Sequence, residues 1–334
     1  MPLTHRERLQ ACLADDLALD RPPVTLWRHF PVDDQSPETL AAATVDFQHR
    51  YDFDLVKVTP ASSFCLKDWG AEDAWEGNPE GTRRYTRYVI EKPQDWERLP
   101  ALDPSAPHLS RQLSCLRLLR RELGPEVPLL QTIFSPLAQA KNLAGGDRLI
   151  VHLRQSPEAV AKGLQTIGET TRRFVAAAIE TGIDGVFYAV QHAQAGLLTL
   201  DEYKTFGLPF DKITLEPAQG LWCNMLHLHG REIYFSLLTS SLSFPIVNWH
   251  DRETPPTLCE TSEVLRVVCG GISQKTIVLG NSHEVQTEAQ DAIQQTNGRR
   301  FILGTGCVVP VIAPHGNILA ARNSVEEEYV KRKA

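Results

Sequence analysis

The chain has 334 residues, of which 42% are hydrophobic and 22% charged, and it carries a net charge of −7. That is ample material for a large core in a composition ordinary for a globular protein. The acidic balance argues against a nucleic-acid surface, which needs a basic face, and no apolar run approaches the ~20 residues of a membrane-spanning helix.

The N-terminus goes straight into a helix. Thr4 reads as its N-cap, Glu7 completes a capping box three residues later, and the helix runs through Ala14. Such a start is no secretion signal. Seven cysteines are scattered along the chain without a CxxC pair. An odd number of that kind, with no leader, predicts reduced thiols and a cytoplasmic location.

Pro22 and Pro23 open a first strand that ends at Trp27. Further apolar strands are predicted at Phe53 to Val58, Pro128 to Phe134, Gly185 to Ala189, Leu221 to Leu228, Ile246 to Trp249, Val264 to Cys269 and Phe301 to Gly304. Between them, helical periodicity marks Pro37 to Arg50, His108 to Leu123, Gln155 to Thr181, Leu200 to Pro217 and Ser282 to Thr296, with Gly182 and Asn297-Gly298 as stops. Near-continuous apolar strands alternating with helices predict parallel pairing buried on both faces. Eight such units over residues 1–334 fit one (β/α)₈ barrel preceded by a helix. A doubly wound open sheet is the competitor, but no GxGxxG follows any strand. The stretch from Ala61 to Pro107, rich in Trp, Gly, Pro and charge, reads as an insertion after the second strand that covers the barrel mouth.

Barrels deliver their chemistry at the C-terminal ends of the strands. In chain order those ends offer Trp27, Arg28 and His29, then Lys57, Gln131, Tyr188 and Gln191, then His227 and His229, then Asn248, His250 and Asp251, and finally Cys307. A lone histidine beside a strand is more often structural, which is the bland reading of His29, His192 and His250. His227 and His229 differ, because residues at i and i+2 of a strand share a face. A thiol from Cys307, flanked by Gly304 and Gly306, would complete three ligands for Zn²⁺ and leave a fourth position open for chemistry.

The opening Thr4-His5-Arg6-Glu7-Arg8 helix, the Arg21-Pro22-Pro23-Val24 strand and the ending Gly304-x-Gly306-Cys307-x-x-Pro310-x-x-x-Pro314-x-x-Asn317 resemble the uroporphyrinogen decarboxylase superfamily across essentially the whole chain. The resemblance implies a single (β/α)₈ barrel. True decarboxylases carry Arg-Gln-Ala-Gly-Arg-Tyr after the first strand, an Asp after the second and a late Gly-His-Gly. Here those places read Trp27-Arg28-His29-Phe30-Pro31, Thr59-Pro60-Ala61-Ser62 and Gly304-Thr305-Gly306-Cys307. The zinc-dependent methylcobalamin:coenzyme M methyltransferase branch is more similar, with its His-x-Cys-Gly after the fifth strand and GC-x-x-P after the eighth. Carried over, its ligands fall on His227, His229 and Cys307, with His229 standing where that branch has cysteine.

The resemblance therefore implies a zinc-dependent enzyme moving a methyl group between a corrinoid carrier and a thiol or other small acceptor. Tyr188, His250 and Asp251 are its catalytic candidates. Trp27, Arg28, His29, Lys57, Gln131, Gln191 and Asn248 are its candidates for holding the substrate. A corrinoid protein and a second copy of the chain are the candidate macromolecular partners. Decarboxylation of a tetrapyrrole is the alternative, for whose many carboxylates the first-strand segment supplies only Arg28. A metal- or corrinoid-binding protein without turnover is the non-enzymatic alternative.

Overall fold

The computed structural model describes residues 2–261 and 267–333. The first helix, His5–Ala14, is capped as expected: Thr4 accepts from the Glu7 N–H, and the Glu7 carboxylate accepts from Thr4 N–H in return.

Seven strands form one parallel sheet: β1 (Val56–Val58), β4 (Leu129–Phe134), β5 (Gly185–Val190), β6 (Met225–Leu228), β7 (Ile246–Trp249), β8 (Val267–Ile272) and β9 (Phe301–Thr305), neighbours in that order. Helices alternate with them, and the sheet curls into a half-barrel. Its concave face gathers Leu55, Leu130, Phe187, Met225, Ile246 and Ile302. The convex face packs Val58, Ile133, Val186, Leu226 and Val247 against the helices. Burial on both faces is why these strands lack the alternation of a half-exposed sheet.

The expected first strand, Pro22 to Trp27, makes one parallel bridge, Val24 to Leu303 of β9. On the other side Asp54 N–H donates to the Val24 carbonyl at 2.8 Å. The ladder stops short because the prolines lack donors and because the Val24 N–H is taken by the Asp54 carboxylate at 2.8 Å. The fifth predicted strand also shortens. Asn224 uses its side chain where a ladder would run, accepting from Val186 N–H and donating to the Ala218 carbonyl. In the seventh, Val264 to Arg266 lie outside the described residues, and the strand continues to Ile272.

The helix expected over Leu200 to Pro217 is broken at Gly207 into Leu200–Phe206 and Leu208–Leu215. Several helices went unread, among them Pro136–Ala144, Gly146–Gln155, Phe235–Ser241, Gln274–Leu279 and His315–Lys333; the first is announced by the Ser135-Pro136 start. Between β1 and the helix Pro107–Leu123 lies a two-stranded antiparallel ribbon, β2 (Glu72–Ala74) with β3 (Arg84–Arg87). Much of that stretch packs on the helical side, as the buried Trp96 against Gly163 and His152 shows. Its tip does reach the strand ends, where the Pro79 carbonyl accepts from Val311 N–H at 2.7 Å and Gly81 packs on His29.

Candidate metal centre

β6 carries His227 toward the concave face, and His229 follows just beyond the strand, its N–H still donating to the Val190 carbonyl at 2.9 Å. The two imidazoles share a face, with ring centroids 5.8 Å apart. The turn after β9 brings Cys307 between them: its Sγ lies 3.7 Å from His227 Nε2 and 3.7 Å from His229 Nδ1. Trp249 ends β7, and the next residue, His250, puts Nε2 3.3 Å from His229 Nδ1. One ligand atom from each of these four residues lies within 4.8 Å of every other, a group able to hold a metal ion.

Small residues permit this approach. A Cβ on Gly306 would stand 2.8 Å from His250 Cα and 2.9 Å from the Trp249 carbonyl, so only glycine lets the β9 turn lie against the end of β7. Gly230, at φ +97°, turns the chain directly after His229 against Gln194.

Burial keeps the imidazoles neutral and their lone pairs free. It pushes His227 well below the usual histidine range and His229 down to about 4, and the neighbouring histidines add to both shifts. His250 is lowered by the same cause. Burial pushes the Cys307 thiol up to about 11, opposed by the charge of Lys57. A cation entering the group would reverse that last effect by stabilising the thiolate.

Lys57 is the buried cation of the concave face. Its Nζ donates to Thr59 Oγ1 at 3.2 Å and lies 4.6 Å above the Phe187 ring, which stacks on His227 at 5.1 Å. Burial lowers it to about 7. Trp27 meets Phe187 edge-on at 5.2 Å, and its buried indole N–H has no acceptor among the described residues. His29 is buried beside Lys57 and Arg83 and held down to about 3 by desolvation first and those charges second. Arg28 lies over Phe30 and donates to the His29 carbonyl at 3.4 Å.

Other candidates stand elsewhere. Tyr188 projects from the opposite face of β5, where its hydroxyl donates to Asp211 at 2.5 Å. Gln131 faces the helices, bonded to Gln112 at 2.7 Å. The Asp251 carboxylate turns away from the group to accept from Gly271 N–H. Gln191 is partly exposed, and its carbonyl accepts from Gln194. Asn248 spends its whole amide on protein partners, so none of it is left for a substrate. Tyr188 and Gln131 depart from expectation because position at a strand end does not say which face a side chain takes, whereas Asn248 shares the face of His227 and is committed by its hydrogen bonds.

Two histidines given the bland reading stand nearer the group than that reading expects. His192, buried with an unpartnered Nδ1, feels the charges of Lys141 and His229 and is held down to about 4, burial being the larger cause. His250, a catalytic candidate from the sequence, stands at ligand distance from His229 as well.

A parallel α/β fold with a histidine and cysteine group at the C-terminal ends of its strands is thus defined. The chain belongs to the uroporphyrinogen decarboxylase family, whose model matches residues 19–328. Among solved structures it is similar to a methyltransferase from Methanosarcina mazei, at a TM-score of 0.84 and 18% identity, over 98% of this chain and 99% of that one. It is also similar to a B12-independent methionine synthase from Shewanella sp. W3-18-1 in complex with selenomethionine, at a TM-score of 0.56 and 14% identity, over 93% and 94%. At these identities the likeness is one of fold. No curated protein matches the sequence.

Proposed function

We propose that this protein is a zinc-dependent methyltransferase that moves a methyl group between a corrinoid carrier and a small thiol. The observation that carries the reading is the spacing of His227, His229, His250 and Cys307. Zinc bonds of about 2.0–2.1 Å to nitrogen and 2.3 Å to sulfur give tetrahedral edges of about 3.3 Å between nitrogens and 3.6 Å from sulfur to nitrogen. The contacts of 3.3, 3.7 and 3.7 Å fit those edges. Of the four residues, His227, His229 and Cys307 are the resident ligands.

When bound, zinc supplies the Lewis acidity that lowers an acceptor thiol's pKa toward neutrality. His250 sits at the fourth position, and its neutral imidazole is placed to take the thiol proton as the acceptor enters. Lys57 Nζ, which spends one N–H on Thr59 Oγ1, and the Trp27 indole N–H, unpartnered among the described residues, are donors suited to an anionic group on the substrate. The wall of Trp27 and Phe187 excludes water. A methyl-corrinoid donor would supply the methyl group as an electrophile and keep the electron pair of its broken bond, while the acceptor sulfur gains the methyl and His250 holds the thiol proton. Tyr188, Gln131 and Asp251 have no part in this scheme. On the same reading the Val24 segment is the eighth stave of a closed barrel, and the corrinoid protein docks at its mouth in the cytoplasm.

A tetrapyrrole decarboxylase is the reading that the family description suggests. It has less support, because the concave face offers few cations for many carboxylates.

The test is zinc content together with methylcobalamin consumption, followed by visible absorbance across a panel of thiols. About one zinc per chain, lost in Cys307→Ser, with thiol-dependent consumption of methylcobalamin, is the expected result. Protein that stays metal-free after incubation with zinc overturns the metal centre. Zinc-loaded protein that consumes no methylcobalamin with any thiol overturns the transfer.

A further inference from the structure

We infer that Asn248 is a positioning residue that sets the tautomer of His227 and ties that ligand to the strand bearing Cys307. The inference rests on the metal-centre reading above and adds a determinant outside its ligand set.

The argument begins with the amide. Asn248 is fully buried on β7, level with His227 of β6 on one side and Cys269 of β8 on the other. Its Nδ2 donates to two carbonyls, that of Cys269 at 2.9 Å and that of Thr305 at 3.0 Å. Carbonyl oxygens accept only, so the NH₂ must face them. Reversing the amide would set its oxygen against both carbonyl oxygens at hydrogen-bond distance, a repulsion with no donor between them. The orientation is thereby fixed, and the Oδ1 faces His227 Nδ1 at 2.6 Å.

That contact settles the proton on the imidazole. An amide oxygen cannot donate, so Nδ1 of neutral His227 must carry the hydrogen. Nε2 is left with its lone pair exposed toward Cys307 Sγ at 3.7 Å. A free imidazole divides its proton between the two nitrogens, and the fraction protonated at Nε2 cannot bind metal there. Asn248 removes that fraction, and it also stops the ring from swinging about its Cβ–Cγ bond.

The other end of the amide reaches the remaining ligand strand. Thr305, whose carbonyl Asn248 holds, is two residues before Cys307, and its hydroxyl donates to the Cys307 carbonyl. One side chain therefore links the strands that carry His227 and Cys307. Partners of ligating histidines usually act in this way, and losing one typically costs 10–100-fold in metal affinity.

The experiment has two readouts, neither of which is catalysis. Nitrogen-15 histidine NMR of the metal-free wild type reports the tautomer of His227, assigned by its disappearance in His227→Gln. A single Nδ1–H species is expected; an Nε2–H species or an even mixture overturns the inference without any variant of Asn248. Chelator competition then measures zinc affinity in wild type and Asn248→Ala, with thermal melts to establish that both are folded. A loss of about 10–100-fold in the variant, accompanied by a mixed His227 tautomer, is expected. Unchanged affinity and an unchanged tautomer overturn the inference while leaving the metal centre standing. Wild type that binds no zinc overturns the metal centre itself, and the tautomer measurement still decides the role of Asn248.

Discussion

Replacing Asp54 by asparagine should be among the most damaging single changes away from the metal group. Asp54 lies at the N-terminal end of the sheet and accepts from Arg8 at 2.7 Å, from Arg21 at 2.6 and 3.2 Å, from His5 at 3.1 Å and from Val24 N–H at 2.8 Å. Its side chain is 1% exposed, and those of Arg8 and Arg21 are 6% and 5%. Removing one partner of a buried ion pair costs about 3–5 kcal/mol, mainly because the other charge is left uncompensated. Here Arg8 keeps Asp20 at 2.8 Å and Arg21 keeps the half-exposed Glu326 at 2.8 Å, which places the expectation near the lower end, about 3 kcal/mol. The pH dependence has a definite sign. Burial alone would raise the Asp54 carboxyl, but His5, Arg21 and Arg8 outweigh it and hold the group well below the usual carboxylate range. A depressed folded pKa contributes stability that is present above the unfolded value and is lost as pH falls. Urea unfolding should therefore show the full difference between wild type and variant at pH 7, shrinking below about pH 4. A difference under about 1 kcal/mol at pH 7, typical of an ordinary substitution, would refute the reasoning, as would one that does not change with acidity.

Two further predictions concern other parts of the structure. Asp211 is buried with Tyr188 and Tyr203 as its hydrogen-bond donors, and burial pushes it up to about 6. A raised carboxyl pKa makes the native state hold a proton that the unfolded chain releases, so Asp211 should cost about 3 kcal/mol as pH rises from about 4 to about 6. Asp211→Asn should flatten that part of the wild-type stability curve in urea titrations; an unaltered slope would sink the assignment. Gly306→Ala should lose zinc affinity and about 1–3 kcal/mol of stability, since the new methyl must displace the His250 backbone. Chelator competition and a melt measure both effects, and a variant with wild-type values would mean that the close approach of the β9 turn to β7 does not matter.

Much of this architecture was legible along the chain. Capping residues, proline starts and glycine stops are local chemistry, which is why the helices at His5–Ala14, Pro37–Tyr51 and Ser282–Gln295 fall close to where they were expected. Ile246 to Trp249 was read without error, because a short apolar run between turns has few alternatives. Errors arose where a side chain replaced a backbone partner. Asp54 intercepts the Val24 N–H, and Asn224 occupies the start of β6; neither substitution leaves a periodic trace in the sequence.

The same division runs through the site. Period-two geometry on one strand places His227 and His229 on a common face, and small residues around Cys307 advertise a close approach, so that the candidate group was readable from spacing. The sequence by itself thus determined where most strands of the parallel sheet lie and which residues are candidates to bind a metal, because those depend on near neighbours in the chain. Tertiary structure alone decided that His250 completes the group, that Tyr188 and Gln131 face the helices, and that Asn248 serves His227 rather than a substrate. Each of those outcomes depends on which side of the sheet a strand end presents and what the adjoining strand sets opposite it, a relation between segments at least twenty residues apart in the case of Asn248 and His227.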